Sequence, residues 1–259
     1  MSTFIHSTAL VDKDASIGEG CYIGAFSTVG AEVELDEGVR LESHVVVDGR
    51  TKIGKNTHIF PFVSIGLAPQ DLKYAGEPTS TEIGERNQIR EFVTIHRGTV
   101  GGGGVTRIAN DNLLMAQTHV AHDCQLGSGI IMANAATLAG HVEVADRASI
   151  GAYSGVHQFC RIGLEAFIGG YSVVVKDAMP FATIQGNHAK CFGLNRVGAK
   201  RRGYSPETIQ ALNHAFRLLL NSKLNTSQAI ERIRAEIAHS PEVDLLVEFI
   251  STSTRGVVK

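Results

Sequence analysis

The amino-acid sequence predicts an all-β solenoid built from six-residue repeats, followed by a small α-helical domain. Three observations indicate this fold class: an aliphatic residue recurs at every sixth position, glycine often follows it, and the pattern stops at Pro180. A period of six matches neither an α-helix nor a lone strand, but it matches a chain that turns a corner after each repeat. We therefore expect a parallel β-solenoid in residues 1–186 and a helical domain in residues 187–259.

The first run of repeats is unbroken over eleven positions. Because 43% of the residues are hydrophobic, chance produces such a run about once in 10,000 trials. Three repeats make one coil, and successive coils then stack as parallel strands about 4.8 Å apart. The eleven positions are Ile5, Val11, Ile17, Ile23, Val29, Leu35, Leu41, Val47, Ile53, Ile59 and Ile65.

Glycine follows the aliphatic residue in many repeats, as at Gly18, Gly24 and Gly30. A corner requires a positive φ or a close approach of two backbones, and glycine allows either. Small residues two positions before the aliphatic one, such as Ala15 and Cys21, suit a narrow interior. The four cysteines form no C-x-x-C pair, so we expect buried thiols in a reducing cytosol.

Two interruptions of the period predict loops that leave the solenoid. The first, residues 66–82, has Asp71 and Glu77 where aliphatic residues are due, and the second, residues 97–107, is rich in glycine. The second lacks the Lys-Ser/Thr pair of a nucleotide-binding loop, so we interpret it as a flexible linker. Loops on a rigid scaffold often carry binding chemistry. The period resumes at Ile83, Ile89 and Ile95, and again, shifted by one residue, from Ile108 to Val174.

Beyond Pro180 the sequence predicts helices. Residues 205–207 (Ser-Pro-Glu) combine an N-cap, a proline at the first helical position and an early carboxylate. A second helix is expected after Thr226 and a third from Pro241. Such a bundle would cap the open end of the solenoid, whose unpaired strand edges otherwise favour aggregation.

Composition limits the classes of function. The formal net charge of −2 argues against a nucleic-acid partner. No charged-then-apolar leader precedes Ile5, and no stretch of about 18 apolar residues occurs. We expect a cytoplasmic protein without stable membrane insertion.

One polar column in the second run of repeats carries the candidate chemistry. Residues one coil apart share a face, so His122, Gly140 and Gln158 should form a column, with Asp123 beside them under His141. His119 and His157 are neighbours of this column. Histidine is the natural general base near neutral pH, and the N–H of a residue without a side chain suits a developing oxyanion.

Two points about this column stay open in the sequence. Neighbouring strand residues face opposite sides, so a bond from Asp123 to His122 is uncertain. Histidines also bind zinc, but His119 and His122 should point to opposite faces, and no Cys or Glu completes a ligand set. Elsewhere, Asp71 and Lys73 are interpreted as a surface pair, while the basic residues 200–202 suit phosphate or an acidic protein.

Seven segments of the chain occur in the order of the motifs of one enzyme family. They are QDLKYAGEP (70–78), IREFVTIHRGT (89–99), NLLMAQTHVAHDC (112–124), ATLAGHV (136–142), VHQFCRIG (156–163), QGNHA (185–189) and KRRG (200–203). Over essentially its whole length, the chain resembles the UDP-N-acetylglucosamine O-acyltransferases that begin lipid A synthesis in Gram-negative bacteria. The resemblance implies a homotrimer of left-handed parallel β-helices with active sites in the clefts between subunits.

The resemblance also implies acyl transfer without a metal or organic cofactor. His122 would be the general base that deprotonates the glucosamine 3-hydroxyl of UDP-N-acetylglucosamine. That oxygen would attack the thioester of a 3-hydroxyacyl acyl carrier protein. The N–H of Gly140 would serve the oxyanion hole.

Further positions match the family's substrate contacts. The resemblance brings Arg201 and Arg202 near the nucleotide phosphates or the carrier protein. Gly170 matches a position that gauges acyl length, and the open groove at a glycine implies a relatively long chain. Val197 stands where some members carry Glu, so one polar contact to the nucleotide is missing or replaced. The remaining contact positions are Gln70, Asp71, Lys73, His119, His141, His157, Gln158 and Asn195.

Other classes fit parts of the pattern. The related N-acyltransferase of the same pathway has an additional N-terminal uridine-binding domain, whereas the repeats here begin at Ile5. A γ-type carbonic anhydrase or another hexapeptide-repeat acyltransferase would share the coil, the former with a three-His metal site. A structural or ice-binding solenoid would carry uniform ladders of Thr or Asn, but this chain concentrates His and Asp in one region.

Overall fold

The computed structural model describes residues 2–259 and has the predicted fold class, a left-handed parallel β-helix followed by α-helices. Each coil contributes three short strands, one to each of three sheets. The strands are β1 Phe4–Ile5, β2 Leu10–Val11, β3 Ser16–Ile17, β4 Tyr22–Ile23, β5 Thr28–Val29, β6 Val33–Leu35, β7 Arg40–Leu41, β8 Val46–Val47, β9 Arg50–Ile53, β10 His58–Ile59, β11 Ser64–Leu67, β12 Ser80–Ile83, β13 Gln88–Ile89, β14 Thr94–His96, β15 Val105–Ile108, β16 Leu113–Leu114, β17 His119–Val120, β18 Gln125–Leu126, β19 Ile131–Met132, β20 Thr137–Leu138, β21 Glu143–Val144, β22 Ser149–Ile150, β23 Gly155–Val156, β24 Arg161–Ile162, β25 Phe167–Ile168, β26 Val173–Val174, β27 Ala182–Gln185 and β28 Lys190–Leu194.

The register of the sheets follows the sequence period. Thr137 pairs with His119 on one side and with Gly155 on the other, a separation of 18 residues in each direction. The aliphatic residue of each repeat points inward, and side chains such as Ile59, Leu114 and Val120 are completely buried. The core is therefore a narrow aliphatic column enclosed by three sheets.

The corners of the coil combine close backbone approach, often at a glycine, with a positive φ that glycine and non-glycine residues share. A Cβ on Gly24 would lie 2.7 Å from the backbone carbon of Glu42 in the next coil, and Gly24 itself does not have a positive φ. Left-handed backbone falls instead on residues such as Phe26 and His44, each with a φ of 59°. The N–H of His44 still donates to Ala25 in the previous coil at 2.9 Å. Left-handed corner residues thus keep the coil-to-coil hydrogen bonding.

Both predicted loops are shorter than expected, because strands extend into them. Strands β11 and β12 leave residues 68–79 as the first loop, and β14 and β15 leave residues 97–104 as the second loop. Thr81 and Thr106 are paired with each other and completely buried, so they belong to the solenoid interior. The second loop contains a 3-10 turn at Val100–Gly102.

The C-terminal part contains the helices α1 Arg196–Arg201, α2 Pro206–Leu220, α3 Thr226–Glu236 and α4 Pro241–Ser251. The hydroxyl of Ser205 caps α2 by accepting from Thr208, as its Ser-Pro-Glu start predicts. The short α1 was not expected, because its six residues carry no apolar stripe. Strand β28 pairs antiparallel with β27, so the predicted division between residues 186 and 187 falls within a hairpin.

Within residues 2–259, no helix is both long enough and apolar enough to cross a membrane. The four cysteines are free thiols, three of them buried and Cys191 half-buried. Burial raises the pKa of the Cys124 thiol to about 12, which keeps it in the unreactive protonated form.

Candidate active site

The predicted polar column is centred on Asp123, a left-handed corner residue with a φ of 62°. Because this corner breaks the alternation of a strand, Asp123 and the preceding His122 do not point to opposite sides. Nδ1 of His122 lies 2.8 Å from Oδ2 of Asp123. The structure therefore contains the hydrogen bond that the sequence left open.

This contact assigns the tautomer of His122. A carboxylate oxygen only accepts hydrogen bonds, so Nδ1 of His122 carries the proton and Nε2 has the free lone pair. The His122 side chain is 16% exposed and that of Asp123 is completely buried. A proton acceptor is thus presented at the surface, backed by a buried carboxylate.

Gly140 lies one coil after His122, directly against its ring. A Cβ at this position would be 2.6 Å from Cε1 and 2.8 Å from Nε2 of His122, so only glycine leaves room for the imidazole. The Gly140 carbonyl accepts from Phe159, whereas its N–H meets no acceptor among residues 2–259. An unpaired N–H beside Nε2 of His122 is an arrangement that suits an oxyanion site.

His141 forms the other wall of this site. Its ring stacks on Phe159 with centroids 4.3 Å apart and meets His122 edge-on at 5.1 Å. Burial lowers the pKa of His141, while the charges of Asp123 and Asp71 oppose that shift. The influence of Asp71 shows that the first loop approaches the site within the same chain.

A second histidine pair lies on neighbouring strands. Nδ1 of His119 is 2.7 Å from the hydroxyl of Thr94. Burial lowers the pKa of His119 and lowers that of His96 to about 4. His96 was not singled out from the sequence, although the IHRGT motif contains it next to an inward-pointing Ile95.

The carboxylate of Asp123 is held by the second loop. Thr99 donates its N–H to Oδ1 at 2.8 Å and its hydroxyl to Oδ2 at 2.6 Å. The N–H of Asp123 itself donates to Thr106 at 2.8 Å. The interpretation of the Gly-rich segment as a flexible linker was wrong, because its threonine is bound to the buried acid.

The other predicted residues of the first loop lie at the surface. Gln70 and Lys73 are exposed and Asp71 is half-buried. Asp71 accepts a hydrogen bond from the backbone N–H of Lys73 at 3.0 Å, which forms a turn within the loop. The expected ion pair between these two side chains is not formed.

Other predicted contacts lie away from His122. His157 and Gln158 are exposed, one coil beyond the Gly140 turn, and Arg255 approaches Nδ1 of His157 at 3.2 Å. Arg255 was missed, because a lone arginine near the chain end gives no signal in the sequence. Gly170 is exposed, and a Cβ there would lie 3.2 Å from the Ala152 carbonyl.

Two candidate residues at the start of the helical region have partners within the chain. Asn195 caps α1 by accepting from the N–H of Gly198 at 2.9 Å. Arg202 lies 3.3 Å from the buried carboxylate of Glu165 and donates to the carbonyl of Arg147. Arg201 is exposed, so it is the arginine of the KRRG segment with a free surface position.

One trio in the described residues has the spacing of metal ligands. Ligand atoms of His122, Asp123 and His141 all lie within 4.8 Å of one another. The sequence did not predict this set. Three donors already occupy the Asp123 carboxylate, two from Thr99 and one from His122.

A β-helix of hexapeptide repeats with a His–Asp pair beside a free backbone N–H defines a hexapeptide-repeat acyltransferase. The family model for bacterial transferase hexapeptide repeats matches residues 14–49. The model for domain 2 of UDP-N-acetylglucosamine O-acyltransferase matches residues 177–258. A segment of the solenoid thus matches transferase repeats, and the C-terminal segment matches the O-acyltransferase model.

Solved structures identify the family. A UDP-N-acetylglucosamine acyltransferase from Bacteroides fragilis is 38% identical over 99% of this chain and 100% of its own, with a TM-score of 0.97. LpxA from Acinetobacter baumannii is 44% identical over 100% and 98% of the two chains, with a TM-score of 0.83. The Francisella novicida enzyme is 37% identical over 98% and 94%, with a TM-score of 0.94. The chain belongs to the UDP-N-acetylglucosamine acyltransferase family and is an O-acyltransferase.

Proposed function

We propose that this enzyme transfers a 3-hydroxyacyl chain from acyl carrier protein to the 3-hydroxyl of UDP-N-acetylglucosamine, the first step of lipid A synthesis. The observation that carries the proposal is the pairing of His122 with Asp123 on one side and Gly140 on the other. Proton acceptor and oxyanion donor then lie side by side. Family membership supports the choice of nucleotide sugar, since the relatives named above are UDP-N-acetylglucosamine acyltransferases.

The reaction follows from these two groups. Nε2 of His122 takes the proton of the sugar 3-hydroxyl while its oxygen attacks the thioester carbonyl carbon. The N–H of Gly140 donates to the resulting oxyanion. Collapse of the intermediate expels the carrier thiolate, which recovers the proton from the His122 imidazolium, and the sugar keeps the new ester.

Asp123 stabilises the charged form of His122 in this cycle. Its carboxylate accepts from Nδ1, so the imidazole is held with Nε2 free in the ground state, and the imidazolium is paired when it forms. Burial of Asp123 strengthens this electrostatic contact, because little water competes with it. No metal or organic cofactor takes part in these steps.

The remaining candidate residues are proposed to bind substrate. Asp71 and His141 are both proposed to contact the sugar, and the charge of Asp71 opposes the lowering of the His141 pKa. Arg201, with its exposed guanidinium, suits the nucleotide phosphates or the acidic carrier protein. The other proposed contacts are Gln70, Lys73, His119, His157, Gln158, Asn195 and Arg202.

Gly170 is proposed to set the acyl length. Gly170 is exposed, and a Cβ here would lie 3.2 Å from the Ala152 carbonyl, so a larger residue would narrow the surface at this point. We expect a long donor, such as a 14-carbon hydroxyacyl chain, to react faster than a 10-carbon one. Faster turnover of the shorter donor would contradict this assignment.

The active assembly is proposed to be a homotrimer with sites in the clefts between subunits. Support comes from large apolar side chains that one chain leaves at its surface, including Leu72 at the tip of the first loop. Monomeric proteins rarely expose contiguous apolar surface of this kind. The exposed corner aromatics are Phe26, Phe62, Phe92, Tyr153, Phe159 and Tyr171.

The decisive experiment is an acyl-transfer assay with UDP-N-acetylglucosamine and carrier proteins bearing hydroxyacyl chains of several lengths. His122→Ala should reduce kcat by about 10³-fold or more, because base catalysis and its hydrogen-bonded network are lost together. The mass of the assembly in solution and its thermal unfolding should match the unsubstituted enzyme. Near-normal turnover by His122→Ala would overturn the mechanism.

A metal-dependent reaction is the alternative that a specific observation favours, namely the spacing of His122, Asp123 and His141. It predicts stoichiometric zinc in the purified protein and loss of activity on chelation. The proposed mechanism predicts full activity after chelation. The two readings differ in a single measurement.

A further inference from the structure

The second loop surrounds one functional group, the carboxylate of Asp123. Thr99 contributes two of its donors, from the backbone N–H and from the hydroxyl. Gly102 lies so close that a Cβ would overlap the carboxyl group of Asp123. We call Thr99 and Gly102 together the carboxylate cradle. Glycine at 102 is therefore required for space against a charged side chain, not for flexibility.

The geometry of the carboxylate cradle links the second loop to His122. The Thr99 hydroxyl and Nδ1 of His122 both donate to the same oxygen, Oδ2, at 2.6 and 2.8 Å. The Thr99 N–H holds the other oxygen, Oδ1, at 2.8 Å. Because both oxygens are held, rotation of the carboxylate about its Cβ–Cγ bond is restricted. The orientation of the carboxylate in turn sets the direction in which His122 is held.

Both residues of this link are buried, which makes the contact costly to lose. Thr99 is 8% exposed and Asp123 is 3% exposed. Water therefore does not replace a missing donor, and an ionised carboxylate that loses one is left with unbalanced charge. Ordinary loops at a protein surface exchange their hydrogen bonds with solvent without such a penalty.

We propose that Thr99 is a positioning residue for catalysis. It orients Asp123, and its hydroxyl weakens the attraction between Oδ2 and the protonated His122 by donating a hydrogen bond to that oxygen. This rests on the proposed role of His122 as general base. The second loop then serves the reaction from behind the site, without touching either substrate. A Gly-rich insertion of this kind is a support for an acid–base pair.

Removal of the Thr99 hydroxyl has two expected effects. The loop then holds the carboxylate only through the Thr99 N–H on Oδ1, so Oδ2 is less restrained and His122 spends less time in the productive orientation. The charge on Oδ2 is also shared with one donor fewer, so it holds the protonated imidazole more strongly. The acid limb of the pH profile of kcat should then move to higher pH.

Other charged and titratable groups face His122 and stay unchanged in this variant. Asp123 contacts Nδ1, His141 meets the ring edge-on, and the charge of His122 acts on His119 and His96. Asp71 acts on His141. Because these groups remain, a shift of the acid limb in the pH profile of kcat can be attributed to the loss of the Thr99 hydroxyl.

The test compares Thr99→Val with Thr99→Ser in the full-length enzyme. Thr99→Val should lower kcat about 10-fold, leave both KM values within about 2-fold, and move the acid limb upward by about 0.5 to 1 pH unit. Thr99→Ser keeps the hydroxyl and should restore both kcat and the limb. A uniform loss at all pH values, without movement of the limb, would overturn the proposal, as would unchanged kinetics.

A pair of glycine variants tests the same contact without altering a hydrogen-bonding group. Gly102→Ala pushes a methyl group into Asp123 and should lower kcat at least as much as Thr99→Val. Gly101→Ala is the matched control, since a Cβ there meets nothing within 4 Å. Equal activity of the two variants would contradict the carboxylate cradle.

The His122→Ala assay separates this inference from the proposed function. If His122→Ala is active, the general-base mechanism fails, and the role of Thr99 fails with it. If His122→Ala is inactive while Thr99→Val behaves like the unsubstituted enzyme, only the role of Thr99 is wrong. Thermal unfolding of each variant shows whether a loss of activity reflects loss of fold.

Discussion

The two loops interrupt the same repeat but are held in opposite ways. The second loop, residues 97–104, binds a buried carboxylate through Thr99, and both partners are withdrawn from solvent. The first loop, residues 68–79, makes its side-chain hydrogen bonds within itself, as from Lys73 to Asp71, and leaves Leu72 fully exposed. A break in a repeat is therefore not flexible in itself. How rigidly an inserted loop is held depends on whether its polar groups form hydrogen bonds to the solenoid.

The comparison assigns different work to the loops. A loop tied to the scaffold can fix an acid–base pair, because its position varies little. A loop held by its own bonds can close on a substrate and release it, because few contacts must break. Substitutions on either side of this division should therefore differ in their effect on activity.

Asp123→Asn should cost the most activity. The amide presents an N–H or a carbonyl to His122, so the tautomer is no longer enforced, and kcat should fall by about 10³-fold or more. Asp71→Asn in the first loop is the matched change. It removes a half-buried charge and should reduce kcat by less than about 10-fold. Similar losses in both variants, measured by acyl transfer at pH 7, would show that the carboxylate held by the second loop matters no more than the carboxylate within the first loop.

Gly140→Ala changes the opposite side of His122 and leaves both loops intact. The new methyl group would lie 2.6 Å from the ring and would shift it away from the free N–H, so we expect kcat to fall about 10²-fold. Gly155→Ala is the control, because a Cβ there meets nothing within 4 Å. The unfolding midpoint should stay nearly constant for Gly155→Ala. Full activity in Gly140→Ala would contradict the contact.

The sequence was most informative about the coil. The six-residue period predicted which residues point inward, and Ile59 and Leu114 are fully buried as expected. It predicted a positive φ or a close backbone approach at corner glycines, but it did not indicate that residues with side chains, such as Phe26, have a positive φ as well. Glycines such as Gly24 are instead required by a neighbouring backbone. Contacts between coils decide these conformations, and a local pattern does not contain them.

The sequence predicted which residues lie close together in the candidate site, but it did not predict the hydrogen bonds that join them. The 18-residue spacing brought His122, Gly140 and Asp123 together from the sequence alone. The sequence does not predict the His122–Asp123 hydrogen bond, because strand alternation would place the two side chains on opposite sides. The left-handed corner at Asp123 removes that alternation. The role of Thr99 was missed, since a run of glycines carries no sign of the acid it surrounds. Where an inserted segment folds back depends on tertiary contacts.

Acid should weaken the region that precedes the second loop. Burial, with His119 and His122 nearby, lowers the pKa of His96 from 6.5 to about 4. Between these values the unfolded chain binds a proton that the folded chain rejects, so the free energy of unfolding falls as pH falls. The free energy of unfolding is unaffected by His96 above pH 6.5. By pH 4, the titration of His96 lowers this free energy by about 3 kcal/mol.

His96→Gln removes this titration and provides the check. The free energy of unfolding, measured by denaturant titration between pH 4 and 7, should fall less steeply in the variant than in the unsubstituted protein. His119 and His141 titrate in both proteins, so the difference between the two curves isolates His96. Parallel curves would show that His96 is protonated in the folded protein.

Tyr74→Phe should have the smallest effect. It tests whether the first loop opens independently of the second loop. The Tyr74 hydroxyl donates to the carbonyl of Glu77 at 2.9 Å, a contact within the loop. Its loss should cost about 1 kcal/mol locally. Because the loop opens without unfolding the solenoid, the melting temperature should not change. Amide hydrogen exchange should accelerate about 5-fold in residues 68–79 and stay constant in residues 97–104, which serve as the internal reference. Acceleration in both segments would mean that the two loops open together and that the second loop is not independently anchored.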